Sequence, residues 1–170
     1  MKEPVRLFSD CPDYQGERWK ESLSTHSFIQ HVLPMKRMHV MLRVKDLDTA
    51  TRFYSTLFDA APTVQKSDYA KWMLDDPRVN FSVAEKDEEF GIEHLGIQAE
   101  TPEELDEIRE RIGRADGAVT EEGETTCCYA NSDKTWVVDA QGVAWEAFHT
   151  SGEAETYAGE GVTECCPDEA

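Results

Sequence analysis

The sequence lacks long hydrophobic runs: nowhere do 18 apolar residues follow one another, so no transmembrane helix is expected. The first 20 residues carry scattered charges and no apolar segment, which argues against a signal peptide. Bases are scarce, 17 against 35 acids for a net charge of −18. Such a surface repels phosphate groups, so neither nucleic acids nor membranes are expected partners. A salt-adapted host would also explain the acidity. Without a signal peptide or a transmembrane helix, we expect a cytoplasmic protein.

The cysteines do not have the spacing of a disulfide framework, since four of the five occur as adjacent pairs, Cys127-Cys128 and Cys165-Cys166. Adjacent thiols rarely bond to each other, but they can share one soft centre such as As(III) or Cd(II). A regular strand would point Cys127 and Cys128 to opposite faces, so a bulge or turn is required there. The alternative is a pair of small buried apolar side chains. Cys11 has no assigned role.

The chain divides into three parts. Residues 1–34 are polar and form either a poorly ordered N-terminal extension or a segment upstream of the true start; alternatively, Trp19 and the Phe28 to Leu33 run pack on the domain surface as a short helix. Residues 35–150 carry the regular structure. Residues 151–170 contain six acids, three glycines and no base, which predicts a disordered tail carrying Cys165 and Cys166 as accessory thiols. That second pair could deliver substrate, bind metal nonspecifically or have no role.

The middle part repeats one order of elements, strand, helix and three strands, over about 36–90 and about 91–150. Asp46 caps the first helix, which ends near Phe58; Thr101 caps the second, with Pro102 at its first position and Glu104 completing a capping box. Strands are predicted at 37–44, 62–66, 69–74, 79–84, 92–99, 118–125, 128–132, 135–138 and 143–149. The pattern predicts an α+β fold in which two modules form one open, curved barrel around a cavity.

Three potential metal ligands occupy matched places in this repeat. His39 and His94 lie in the leading strands of the two modules, and Glu146 lies in the last strand of the second. Two imidazoles and one carboxylate with open positions suit Fe(II), although Mn, Co, Ni and Zn are also compatible. Each histidine taken alone would more simply be a structural residue. The other histidines, His26, His31 and His149, are expected to be structural or exposed.

Several segments together resemble the ArsI/CadI group of the vicinal-oxygen-chelate superfamily, which includes glyoxalases and extradiol dioxygenases. They are Met38-His39-Val40, the 47–58 helix, 67–71, 79–81, Glu93-His94-Leu95-Gly96-Ile97-Gln98, Thr125-Thr126-Cys127-Cys128-Tyr129-Ala130 and Trp145-Glu146. The resemblance covers about 36–150. The two-histidine, one-glutamate set indicates only the superfamily, and the Thr-Thr-Cys-Cys-Tyr-Ala segment indicates the group.

This resemblance implies paired βαβββ modules, Fe(II) on His39, His94 and Glu146, and a trivalent organoarsenical held by Cys127 and Cys128. It further implies O₂-dependent cleavage of carbon–arsenic bonds to arsenite. Tyr69 and Tyr129 are candidates for substrate contacts or simply for packing. Alternatives are a cadmium- or arsenite-binding resistance protein without catalysis, and another metalloenzyme of this fold, either a glyoxalase-like enzyme, an antibiotic thiol transferase or an extradiol dioxygenase. The chain could act as a monomer or a homodimer.

Overall fold

The computed structural model describes residues 35–87, 90–115 and 117–159. These residues form two helices and eight strands. In chain order they are β1 (Arg37–Val44), α1 (Leu47–Phe58), β2 (Val64–Gln65), β3 (Tyr69–Asp75), β4 (Arg78–Glu85), β5 (Gly91–Ala99), α2 (Pro102–Ile112), β6 (Ala118–Cys127), β7 (Ala130–Val138) and β8 (Ala144–Glu153).

All eight strands belong to one open sheet with the order β2-β3-β4-β1-β5-β8-β7-β6. Within each module the leading strand pairs in parallel with the last, β1 with β4 and β5 with β8. The modules meet where β1 and β5 pair antiparallel. The predicted α+β fold with two βαβββ modules is therefore confirmed, and the two leading strands lie side by side as the repeat required.

The helices begin where their caps predict. The Asp46 side chain accepts a hydrogen bond from the Thr49 amide at 2.7 Å, and the Thr101 hydroxyl accepts one from the Glu104 amide at 3.2 Å. These bonds satisfy amides that have no partner inside the helix. The predicted capping box is only half formed, because the Glu104 carboxylate accepts instead from the amide of Glu100, one residue before the cap.

The two faces of the sheet differ because side chains alternate along each strand. One face packs against the helices: Trp72 and Val83 lie under α1, whereas Ala99 and Ala147 lie under α2. The opposite face carries polar side chains that are also buried. On this face the buried polar residues of the described chain are His39, Asn80, Ser82, His94, Ser132, Lys134 and Glu146, whereas buried Thr135 faces α2 and accepts a hydrogen bond from Arg109 at 2.8 Å. Since buried polar groups need partners, this face is the place to look for a site.

Two boundary predictions were wrong. The strands predicted at 128–132 and 135–138 are one continuous strand, β7, because the two charges that seemed to interrupt it have partners. Asp133 receives two hydrogen bonds from Arg109, at 2.7 and 3.0 Å, and Lys134 contacts Glu146 at 2.6 Å. The predicted tail also begins too early, because β8 continues to Glu153 and the chain remains packed through Gly159.

No helix among the described residues is long and apolar enough to cross a bilayer. The predicted N-terminal extension, 1–34, and the Cys165-Cys166 pair lie outside the described residues, as do Cys11, His26 and His31.

Candidate metal and thiol site

Strand register brings the three predicted ligands together. On β1, His39 lies opposite Gly96 of β5, and two residues along, Met41 lies opposite His94. On its other side Gly96 lies opposite Glu146 of β8. His39, His94 and Glu146 consequently point from three neighbouring strands into the same space, on the sheet face away from the helices. Each is about 5% exposed, so the cluster is closed to bulk water.

The donor atoms are spaced as ligands of one ion. The Nε2 atoms of His39 and His94 are 3.2 Å apart, and Oε2 of Glu146 lies 3.6 and 3.5 Å from them. Atoms each about 2.1 Å from an ion, at angles between about 90° and 109°, are separated by roughly 3.0–3.4 Å. Two imidazoles and one carboxylate that leave other positions open form a ligand set suited to non-haem Fe(II). The residues present therefore fit a divalent metal.

Gly96 keeps this space open. A Cβ atom built at Gly96 would lie 2.5 Å from the backbone oxygen of Glu146 and 3.2 Å from its Cβ. Side chains essentially never approach a carbonyl oxygen so closely, so any other residue would push β8 away from β5. The glycine of the Glu-His-Leu-Gly-Ile segment is thus needed to hold Glu146 beside the histidines.

His39 is held in the form that a metal ligand requires. Its Nδ1 lies 3.0 Å from the backbone oxygen of Asn80 and donates to it, which leaves the lone pair on Nε2 directed at the cluster. Burial, reinforced by the neighbouring His94, lowers the pKa of His39 to about 4, although Glu146 opposes the shift. His39 is therefore neutral near pH 7 and available as a ligand.

Lys134 is the functional residue that the sequence did not reveal. Its ammonium lies 2.6 Å from Oε1 of Glu146, and both side chains are almost fully buried. Burial alone would raise the pKa of Glu146, but the Lys134 charge and the hydrogen bond with His94 hold it well below the usual range. Because Lys134 occupies Oε1, the other oxygen, Oε2, faces the histidines. In the sequence, Lys134 alternates with Ser132 and Trp136 along β7, and this alternation was the signal that could have placed Lys134 on the buried face.

The two cysteines lie at a tight turn. Cys127 ends β6 and pairs with Ala130, the first residue of β7, so that Cys128 and Tyr129 form a two-residue hairpin loop. Both have positive φ, 56° and 61°, the backbone that such hairpin turns require. The turn places the two Sγ atoms 3.1 Å apart, with no disulfide between them. Bonds of about 2.3 Å, the length of a metal–thiolate bond, would let both sulfurs bind one atom. The requirement for a turn is met.

One cavity of about 40 Å³ connects the two groups. It is lined by His39, His94 and Glu146 on one side and by Cys127 and Cys128 on another. Roughly 10–15 Å³ of such space is needed to hold one water molecule, so the cavity is small. The remaining walls include Met41, Tyr69, Lys134 and Phe148. The arrangement can hold a hard-to-borderline cation and a soft, thiophilic atom as close neighbours.

The tyrosines have different places. Tyr69 is buried, lines the cavity and shares a hydrogen bond of 2.9 Å with the Ser82 hydroxyl; burial raises its pKa further above the ordinary value. Tyr129 does not line the cavity and instead donates to Asp68 at 2.6 Å. Because Tyr129 follows β6 and Asp68 precedes β3, at opposite ends of the strand order, this bond shows that the sheet curves over the cavity. His149 is half-buried and does not line the cavity.

Comparison with known proteins agrees with the geometry. The model of the Glyoxalase/Bleomycin resistance protein/Dioxygenase superfamily matches residues 36–147. The chain belongs to this superfamily. Within it, a trivalent organoarsenical cleaving enzyme of Bacillus sp. strain MD1 is 40% identical over 139 residues, covering 79% of this chain and 85% of the relative. The cadmium-induced protein CadI of Mycobacterium bovis is 36% identical over 125 residues, covering 72% and 82%. The predicted ArsI/CadI relationship is confirmed.

A solved superfamily structure shows the same fold at lower identity. An extradiol ring-cleaving dioxygenase from B. fuscum superposes with a TM-score of 0.53 at 15% identity, over 72% of this chain and 35% of that one. At this identity the likeness concerns the fold alone, and it agrees with the paired-module architecture described above.

Proposed function

We propose that this superfamily member is an Fe(II)-dependent enzyme that uses O₂ to break the carbon–arsenic bond of trivalent organoarsenicals and release arsenite. The observation that carries the proposal is the shared cavity, in which the Cys127-Cys128 dithiol and a two-histidine, one-carboxylate cluster are neighbours. The Bacillus relative, named for organoarsenical cleavage, supports the substrate class. Neither group alone would indicate this chemistry.

The thiols would bind and orient the substrate. Cys127 and Cys128 each replace an oxygen ligand of the trivalent arsenical, forming two arsenic–sulfur bonds and releasing water. Since Cys127 is only 2% exposed, the bound arsenic would be drawn into the cavity rather than left at the surface. Two bonds fix the position of the arsenic, so that binding energy is converted into the orientation of its remaining carbon substituent.

His39, His94 and Glu146 would hold the metal. When bound, Fe(II) supplies the capacity to activate O₂ beside the substrate. Lys134 would keep one oxygen of Glu146 engaged and the other directed at the ion, and the Asn80 carbonyl would keep the imidazole of His39 in the required tautomer. Met41, Tyr69 and Phe148 line the same space and would limit the entry of water.

The decisive experiment is to incubate Fe(II)-loaded protein with methylarsenite in air and to follow arsenic speciation. We expect inorganic arsenite to appear, and to appear only with both iron and oxygen; arsenite release without oxygen would contradict the mechanism. Cys127→Ser should abolish arsenical binding while retaining iron, and loss of iron as well would assign the thiol a structural role. His94→Ala should remove the metal, whereas the matched variant His149→Ala, outside the cavity, should retain it.

A second candidate is a resistance protein that sequesters Cd(II) or arsenite without chemistry, favoured by the likeness to CadI. It predicts stoichiometric binding that does not depend on iron. A third, favoured by the fold, is a glyoxalase-like isomerase or extradiol dioxygenase acting on a carbon substrate. That activity would survive replacement of both Cys127 and Cys128 by serine.

A further inference from the structure

The two residues Cys128 and Tyr129, here called the thiol turn, hold a backbone conformation that their own side chains do not favour. Both have positive φ, a region that residues other than glycine, asparagine and aspartate seldom enter. Each such residue shifts the equilibrium toward ordinary backbone conformations by roughly five- to thirtyfold. The turn therefore needs support from elsewhere in the chain if the Sγ atoms of Cys127 and Cys128 are to stay 3.1 Å apart.

The segment that follows β8, residues 154–159, supplies this support through its backbone. Ala158 forms an antiparallel bridge with Cys127. Three hydrogen bonds join the segment to the turn and to the end of β6, and they run from the Ala154 amide to the Tyr129 oxygen at 2.8 Å, from the Cys128 amide to the Tyr157 oxygen at 2.6 Å, and from the Gly159 amide to the Thr126 oxygen at 3.1 Å. Both residues of the thiol turn are thus held by backbone bonds to this one segment.

Tyr157 fixes this segment to the rest of the protein. The centre of its ring lies 6.2 Å from that of Tyr69 and 5.8 Å from that of Tyr129, with the rings edge to face in both pairs, an arrangement that aromatic side chains favour. The ammonium of Lys86 lies 4.9 Å from the same ring centre. Tyr157 also packs against the buried cluster that Cys128 contacts. The residue whose carbonyl accepts from the Cys128 amide is therefore anchored by its own side chain.

We propose that Tyr157 is a positioning residue for the dithiol, whose anchored ring holds the thiol turn in the conformation that brings Cys127 and Cys128 together before an arsenical binds. This inference rests on the proposed function. An arsenic atom that forms bonds to two thiols requires both sulfurs in place, so its apparent affinity falls in proportion to the fraction of molecules in which they are. A reagent that attacks one thiol has no such requirement. Loss of the Tyr157 ring should consequently weaken chelation by the pair and spare the reactivity of a single sulfur.

Chelation is measured on a full-length, metal-free parent protein, without oxygen, in which every cysteine except Cys127 and Cys128 is replaced by serine. Titration with phenylarsine oxide in competition with dithiothreitol gives the affinity of the pair. Tyr157→Ala should weaken binding by about tenfold, which corresponds to both sulfurs being in place in about one tenth of the molecules. Tyr157→Phe, which keeps the ring, should bind as the parent does, and so should Thr156→Ala, an exposed position in the same segment. Unchanged affinity in Tyr157→Ala would overturn the proposal.

Two further measurements distinguish positioning from a general loss of structure. Alkylation of Cys128 by iodoacetamide, followed by mass spectrometry, should be no slower in Tyr157→Ala than in the parent. Mn(II) affinity should also be unchanged, because the pairing of β1 with β5 and of β5 with β8 ends at His149, before the segment begins. An equal loss of phenylarsine oxide and Mn(II) binding, or alkylation slowed by the same factor, would overturn the proposal. Failure of the parent protein itself to bind phenylarsine oxide, with Tyr157 intact, would instead refute the proposed function.

Discussion

The buried ion pair between Lys134 and Glu146 gives the sharpest test of the site. Lys134→Met keeps most of the side-chain volume but leaves the Glu146 carboxylate, 4% exposed, without its cation. Removing one partner of a buried pair destabilises a protein by about 3–5 kcal/mol, because a charge remains buried and uncompensated. Total stability of a domain is only about 5–15 kcal/mol, so a loss of this size is large. Urea unfolding at pH 7 with a chelator present measures it.

Bound metal should reduce the difference in unfolding free energy between Lys134→Met and the natural protein. A divalent ion bound by His39, His94 and Glu146 supplies the positive charge that Lys134→Met removes, so the gap between variant and natural protein should shrink when Mn(II) replaces the chelator. Replacing both partners, as Lys134→Met with Glu146→Gln, should recover most of the stability. Arg111→Met, in the exposed pair with Glu107 at 3.3 Å, should change it by less than about 1 kcal/mol. The claim that Lys134 compensates the buried charge of Glu146 would be refuted by a loss below about 1 kcal/mol for Lys134→Met. It would also be refuted if Mn(II) left the difference in stability between variant and natural protein unchanged.

Two further predictions concern residues in or beside the candidate metal site. With its pKa lowered from 6.5 to about 4, His39 takes up a proton more readily in the unfolded chain, so metal-free stability should fall by about 3 kcal/mol as the pH drops from 7 to 4. Denaturant titrations from pH 7 to pH 4 should show a smaller loss of stability in His39→Gln than in the natural protein. An equal loss in both proteins would contradict the lowered pKa of His39. Gly96→Ala should cost about 1–3 kcal/mol and weaken Mn(II) binding, measured by calorimetry, because β8 must shift. Gly152→Ala, where an added Cβ meets nothing within 4 Å, is the control and should leave Mn(II) affinity unchanged.

Much of the fold was predictable because its signals are local. Both helix starts, at Asp46 and Thr101, depend on side chains that cap their own helix, and both helices begin at the next residue. The proximity of the candidate metal ligands was predictable for a different reason, namely that repetition of a module fixes which strands become neighbours. The matched positions of His39 and His94 in the leading strands therefore predicted proximity without any knowledge of side-chain packing.

What the sequence did not reveal depends on contacts between distant segments. Lys134 and Asp133 interrupt an apolar pattern and looked like a break, since their partners, Glu146 and Arg109, are supplied by other elements. Residues 154–159 were assigned to an acidic tail, because composition carries no information about their backbone hydrogen bonds to Thr126, Cys128 and Tyr129. Gly96 was part of a recognised segment, but only the register between β5 and β8 shows why no side chain is tolerated there.

Cys128 lies in a two-residue hairpin loop and Cys127 at the end of β6, apart from the strands that carry the histidines, and this position has an evolutionary consequence. Loops tolerate substitution better than the strands they connect, and new activities commonly arise by changing loops on a constant scaffold. Glycine or asparagine would fit the backbone at Cys128 and Tyr129 with less strain. Under the proposed function, a descendant that no longer encountered arsenicals could therefore relax this loop within one or two mutations and keep His39, His94 and Glu146 in place for other substrates.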